Sequence, residues 1–132
     1  MVTILEADGV IHLDTHIAAR LANADRKLRR IGPLLETEDV RISPFVVLEL
    51  QCLVELGRLS ESTHDQLSFL RETFEVEIEL SGMEQVGEAA LALSWTRDPF
   101  DRLIVGHAAA VGAQLLTFDE TILQFCPLAT RG

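Results

Sequence analysis

The sequence has no tyrosine, one tryptophan and six phenylalanines. So few flat rings exclude a nucleic-acid platform built from many successive stacked bases. Positive charge is scarce too: 11 Lys and Arg stand against 21 Asp and Glu, a formal net charge of −10. A protein that grips nucleic acid by its backbone is normally basic. Either the partner is not nucleic acid, or a local basic rim overrides the global field, or a cation mediates. There are two cysteines, Cys52 within an apolar helical pattern and Cys126 near the C-terminus. They offer neither a disulfide framework nor a thiolate metal site, and are expected to be unrelated buried thiols. No apolar run approaches the length of a membrane span, and no charged-then-apolar leader with a cleavage site opens the chain. The expectation is a cytoplasmic protein with no membrane partner. A glycine-rich phosphate loop and a nucleophile elbow are also missing.

What the chain does have is apolar residues, 48% of its 132. That is enough for a single domain over residues 1–132 with a real core. VIHLD (10–14) reads as an apolar strand ending on an acid, and THIAARLA has helical spacing, with Thr15 as its cap. A second helical stretch from Asp25 to Glu38 is expected to be interrupted or bent at Gly32-Pro33. VRIS (40–43) is a strand, and Ser43-Pro44 opens a helix that stops at Gly57. Residues 60–73 form another amphipathic helix, and VEIEL (76–80) alternates like a half-exposed edge strand. Ser81 and Glu84 form a capping box for a helix through Leu93. Asp98-Pro99 starts the next helix, Gly112 ends it, and QLLTF (114–118) is the last clear strand. Alternating strands and helices predict an α/β fold, a mostly parallel central sheet covered on both faces.

Four acids stand out. The helical neighbours of Glu49 are Phe45, Val46, Cys52, Leu53 and Leu56, which predicts a carboxylate within the apolar stripe. Such a group must be protonated, paired with an arginine from elsewhere, or bound to a cation. Asp101 shares a face with Ile104, Val105 and Ala108, so it too should point inward. Asp98 is better explained as the cap of that helix. Asp14 and Asp119 both sit at the C-terminal ends of predicted strands, the edge of a parallel sheet where ligands bind. If their helices follow strands, Glu49 and Asp101 rise from the same edge. Close carboxylates repel, and a divalent cation relieves the repulsion. All-oxygen ligation points to Mg²⁺ or Mn²⁺. His12, His16 and His107 read as packing or solvent-facing residues. Thr15 and Thr117 are placed either to orient ligands or to cap. Arg97 and Arg102 are expected to bridge neighbouring acids rather than contact phosphate, and Arg26, Lys27, Arg29 and Arg30 read as a solvated helix face.

LDTHI (13–17), SPFVVLELQCLVELGRL (43–59) and SWTRDPFDRLIVGHAAAVGAQLLTFDE (94–120) occur in this order. Together they resemble the blocks of PIN-domain proteins, specifically VapC-type toxins of bacterial or archaeal toxin–antitoxin pairs. Asp14, Glu49 and Asp101 match that family's three acids, and Asp119 matches the usual position of a fourth. The resemblance implies a three-layer α/β/α fold and a Mg²⁺- or Mn²⁺-dependent endoribonuclease, commonly dimeric and held inactive by a cognate antitoxin. In that reading Asp14, Glu49, Asp101 and Asp119 are the catalytic, metal-holding residues, and the cation activates water for attack on an RNA phosphodiester. The acidity of the chain suits a basic protein partner better than free RNA.

Two other readings come from different classes. A phosphate-accepting receiver domain also gathers acids at a strand edge, but it needs a lysine late in the chain. The only lysine here is Lys27. A catalytically inactive PIN-fold protein-binding module would keep the fold and use the acids for structure.

Overall fold

A computed structural model of the chain describes residues 9–23, 28 and 31–132. The basic cluster Arg26, Lys27, Arg29 and Arg30 lies outside the described residues. Five strands are present: β1 (Val10–Leu13), β2 (Asp39–Ile42), β3 (Glu77–Ile78), β4 (Gln114–Leu116) and β5 (Ala129–Thr130). Their order across the sheet is β3-β2-β1-β4-β5, and every neighbouring pair is parallel. The helices are α1 (Thr15–Ala22), α2 (Gly32–Thr37), α3 (Pro44–Glu55), α4 (Thr63–Phe74), α5 (Met83–Leu91), α6 (Pro99–Val111) and α7 (Glu120–Phe125). They flank the parallel sheet as the α/β reading predicts.

The strand order explains where ligands can approach. From β1 the chain steps to β2 and then β3; from β3 it crosses back to β4 and on to β5. With the near-universal right-handed crossover, that reversal sends α1–α4 to one face and α5–α7 to the other. The packing mostly follows this division: α1 touches α3 and α4, and α5 lies along α6, while α3 and α6 also meet. The chains leaving β1 and β4 therefore diverge to opposite faces and open a crevice between them. This is the topological switch point of an open parallel sheet.

Strand residues Ile11, Leu13, Val40, Ile42, Leu115 and Leu116 form the centre of the core. Ile17, Ala18 and Leu50 come in from the helices on one side, and Ile104, Val105 and Ala108 from α6. Gly106 lets α6 approach α5 closely, because a Cβ there would stand 3.2 Å from the Ala90 nitrogen. Gly112 ends α6 in the left-handed conformation at φ 70°, and the chain turns directly into β4.

Several local expectations need correction. Of the helix expected over Asp25–Glu38, residues 25–27, 29 and 30 lie outside the described residues; α2 runs from Gly32 to Thr37, with Pro33 in its first turn, so the segment is interrupted there rather than bent. A proline near a helix start costs nothing, since the first amides have no partner anyway. Asp14, not Thr15, caps α1. The Ser81–Glu84 capping box does not form: Gly82, at φ 74°, precedes α5, and the Ser81 hydroxyl instead donates to Glu79 Oε2 at 2.5 Å. α7 and β5 were not legible as elements, being only 6 and 2 residues long. Cys126 is buried but Cys52 only half-buried, and both are free.

VEIEL does supply the edge strand, yet its alternation misleads: Ile78 and Leu80 are exposed, and Glu79 turns inward. Glu79 is 3% exposed. It accepts hydrogen bonds from Arg41 Nη1 at 3.0 Å and Ser81, and meets His12 Nε2 at 3.1 Å. Burial pushes its carboxyl up, but the Ser81 and His12 hydrogen bonds and the Arg41 charge outweigh that and hold it at about 2. His12 and His107 are buried, as the packing reading predicts, and their rings meet edge to face at 5.3 Å. His107 also bonds the Ser43 hydroxyl at 2.7 Å and the Ser81 carbonyl at 2.8 Å, tying α6 to the start of α3 and to the segment after β3.

Candidate active site: carboxylates at the switch point

Asp14 is the first residue past β1, and its amide continues the ladder by donating to Leu116 O at 3.0 Å. Its carboxylate is nearly buried, at 5% exposure, and both oxygens are held. Oδ1 accepts from the Thr15 amide at 2.8 Å and Oδ2 from the Thr117 hydroxyl at 2.6 Å. Burial pushes this carboxyl above the usual aspartate range, against the lowering effect of the two hydrogen bonds.

Asp119 follows β4 by three residues and caps α7, accepting from the amides of Thr121 at 2.9 Å and Ile122 at 3.0 Å through Oδ1. Its own amide donates to the Thr117 hydroxyl at 3.0 Å. Thr117 thus joins the two strand ends, donating to one aspartate and accepting from the backbone of the other. Its side chain is completely buried.

Glu49 comes from the second turn of α3. The apolar stripe predicted a buried position, but the residue is half-buried. α3 is apolar nearly all round, so periodicity could not fix which face turns inward: Val46 and Leu50 do, while Leu56 is 68% exposed. The arginine partner considered as an alternative is not there among the described residues. Glu49 Oε1 instead accepts from the Thr15 hydroxyl at 2.5 Å. Burial and the charges of Asp14 and Asp98 push its carboxyl up, and the Thr15 bond works the other way.

Asp101 sits in the first turn of α6, behind Asp98, which caps the helix through the Phe100 amide at 2.8 Å. α6 does not follow a strand directly, as the sequence argument assumed; it follows α5. It reaches the same edge because it runs into β4, so its N-terminus lies at the C-terminal end of the sheet. Burial, then the charges of Asp98, Asp14, Asp119 and Glu49, push the Asp101 carboxyl up to about 7. The four acids singled out from sequence therefore fall within one another's electrostatic reach. Asp98, read only as a cap, adds a fifth charge.

Among the described residues no group of three His, Cys, Asp or Glu side chains is already arranged to hold a metal ion. The donor chemistry nonetheless fits a hard cation, because every candidate ligand is a carboxylate oxygen and mutual repulsion already raises Asp101. Among the described residues, Oδ2 of Asp119 and Oε2 of Glu49 accept no protein hydrogen bond. Thr15 does not cap α1; its hydroxyl bonds the Glu49 carboxylate, and that of Thr117 the Asp14 carboxylate.

Neither arginine near this stretch bridges the acids. Arg97 donates to Ser94 O at 2.6 Å and Arg102 to Thr96 O at 2.9 Å, so both fasten the loop before α6. Sequence reasoning missed Arg20 and Phe118. They line a cleft of about 160 Å³ with Asp14, His16, Ile17 and Asp119. The adjacency of Phe118 to Asp119 was a usable signal; that Arg20, one and a half turns beyond Asp14, reaches the same cleft was not.

One chain in the crystal structure of VapBC2 from Rickettsia felis bound to a DNA fragment from their promoter has the same fold. It superposes with a TM-score of 0.66 at 23% identity, covering 91% of this chain and 95% of that one. No curated protein matches the sequence. Residues 11–126 match the PIN domain, a span that begins in β1, ends just past α7 and contains all four acids, and the chain belongs to that family.

Proposed function

We propose that this protein is a Mg²⁺- or Mn²⁺-dependent endoribonuclease of the VapC kind. In this reading it is a single-domain cytoplasmic toxin, paired with a cognate antitoxin and acting as a homodimer. Membership of a nuclease family and the likeness to a VapBC2 chain support the class. What supports the chemistry is that Asp101, at the switch point, is raised to about 7 by burial and by the charges of Asp98, Asp14, Asp119 and Glu49.

A divalent cation, when bound, supplies Lewis-acid chemistry and makes water acidic enough to attack a phosphodiester near neutral pH. Asp14, Glu49 and Asp101 would hold it, with Asp119 completing the set. The side chains divide the remaining work. Thr117 and the Thr15 amide lock the Asp14 carboxylate in one rotamer, and the Thr15 hydroxyl orients Glu49. Such outer hydrogen bonds typically set ligand orientation and affinity. Asp101, pushed up to about 7, would give up its proton on holding a cation. Asp119, fixed by α7 through one oxygen, keeps the other for water or ligand.

Exposed Leu48 and Leu56 on α3 give a dimer an apolar surface to cover. The net charge of −10 suits an antitoxin whose contacting segment is basic. Cleavage of an RNA panel tests the reading. The wild type is expected to cut with Mg²⁺ or Mn²⁺ and to stop in EDTA, and Asp14→Asn to be inactive with a normal melt. Cutting that survives EDTA or Asp14→Asn refutes the mechanism, and a correctly folded, metal-loaded protein that cuts nothing returns the inactive binding module.

A further inference from the structure

The cleft beside Asp14 and Asp119 has a chemistry unlike the rest of this acidic surface. Its lining brings Arg20 and Phe118 together with Asp14, Asp119, His16 and Ile17. The guanidinium carbon of Arg20 stands 5.9 Å from the centre of the Phe118 ring. Arg20 is exposed and Phe118 half-buried, its inner part packed against the core. Among the described residues no carboxylate stands within salt-bridge distance of Arg20. At about 160 Å³ the cleft is smaller than an ordinary ligand pocket of roughly 300 Å³ or more, so it holds one flat group rather than a whole ligand.

We infer that this cleft seats the nucleotide adjoining the scissile phosphate of a single-stranded RNA, with its base against Phe118 and its phosphate on Arg20. The inference rests on the nuclease reading and adds to it a substrate-positioning pair. Three features support it. A cation held over an aromatic face by their mutual attraction is preorganised to grip a phosphate beside a stacked base. The cleft shares Asp14 and Asp119 with the carboxylate cluster, so a nucleotide in it lies one residue from the reacting bond. And in a chain of net charge −10, a cation at the mouth of the site is what an anionic strand needs to approach five acids. The scarcity of aromatics excludes a long stacking platform but not one ring at one subsite.

Arg20 also sits in the last turn of α1, where a positive charge suits the helix dipole. The test must therefore separate binding from stability. Fluorescence anisotropy with a labelled single-stranded RNA in EDTA, where no cutting occurs, reads binding alone. Phe118→Leu keeps the apolar contact with the core and removes the flat face; Arg20→Gln removes the charge at an exposed position. Each is expected to weaken RNA binding by roughly fivefold to a hundredfold while the melting curve stays close to wild type. Phe118→Trp should bind at least as well as wild type, and Arg20→Gln should flatten the salt dependence by about one phosphate contact.

If Arg20→Gln and every folded Phe118 variant bind RNA as wild type does, the cleft is not the substrate seat. Should Phe118→Leu fail to fold, Arg20→Gln decides alone. Failure of the nuclease reading looks different: the wild type would not cut RNA with metal, whatever the variants do to binding. A wild type that binds no RNA in EDTA overturns the seat and leaves the nuclease reading to the cleavage assay with metal.

Discussion

Asp101→Asn should stabilise the metal-free protein above neutral pH, although it removes a residue of the candidate site. The Asp101 carboxyl is pushed from 3.8 to about 7 by burial and by four neighbouring carboxylates. A raised folded-state value means that the folded protein holds this proton more tightly than the unfolded chain does. Below about pH 4 both states carry it and no penalty exists. As pH rises through 4 to 7 the unfolded chain releases it first and stability falls; above 7 the loss is complete. At about 1.4 kcal/mol per unit, the full shift sets an upper bound of roughly 4 kcal/mol. Asp101 is only partly covered, and solvent screening with side-chain relaxation reduces the recoverable part to about 1–2 kcal/mol.

Asparagine keeps the shape and removes the charge, so in EDTA at pH 8 the variant should melt roughly 3–8 °C above wild type. At pH 4 the two should coincide. Saturating Mg²⁺ or Mn²⁺ should reverse the order, because the wild type gains more by binding the ion. Thermal unfolding followed by circular dichroism at both pH values, with and without metal, covers every arm. A variant no more stable than wild type at pH 8 in EDTA, or an advantage that persists unchanged to pH 4, would refute the electrostatic account.

Glu79→Gln should destabilise by about 2–4 kcal/mol in denaturant titration, since it removes the negative charge between Arg41 and the buried His12 and turns one of the two acceptor oxygens into a donor amide. With the folded carboxyl held at about 2, the stability Glu79 supplies is full above its unfolded value near 4.5 and is lost as pH falls from there towards 2. Glu79→Gln should therefore lose part of the wild type's acid sensitivity in that window. Thr117→Val removes the hydroxyl that joins Asp14 to the Asp119 amide while keeping the volume. Titration calorimetry should show metal affinity about 10- to 100-fold lower with little change in cooperative unfolding, and unchanged affinity would remove Thr117 from the site.

The order of elements was readable because each strand and helix carries its own signals: the Ser43-Pro44 and Asp98-Pro99 starts, the Gly112 stop, and the apolar strands 10–13 and 114–116. Errors fell where local signals conflict or run short. Gly82 took the cap position from Ser81 because Ser81 has a better partner in Glu79, a contact set by the fold. Alternation marked Glu79 as an outward acid, yet Arg41 and His12 draw it inward from the neighbouring strands.

By itself, then, the sequence determined a parallel α/β sheet, the positions of Asp14 and Asp119 just past its strands, and the cap role of Asp98. These depend on chain-local geometry and hydrophobic period. Only the tertiary structure decided that Thr15 and Thr117 hold the carboxylates, that Glu49 has a hydroxyl rather than an arginine beside it, and that Arg20 and Phe118 share a cleft with the acids. The Thr117–Asp14 and Arg20–Phe118 meetings come from the reversal of strand order that sets β4 beside β1, and the Thr15–Glu49 meeting from the packing of α1 on α3. No local pattern records which distant residues a crossover will make neighbours.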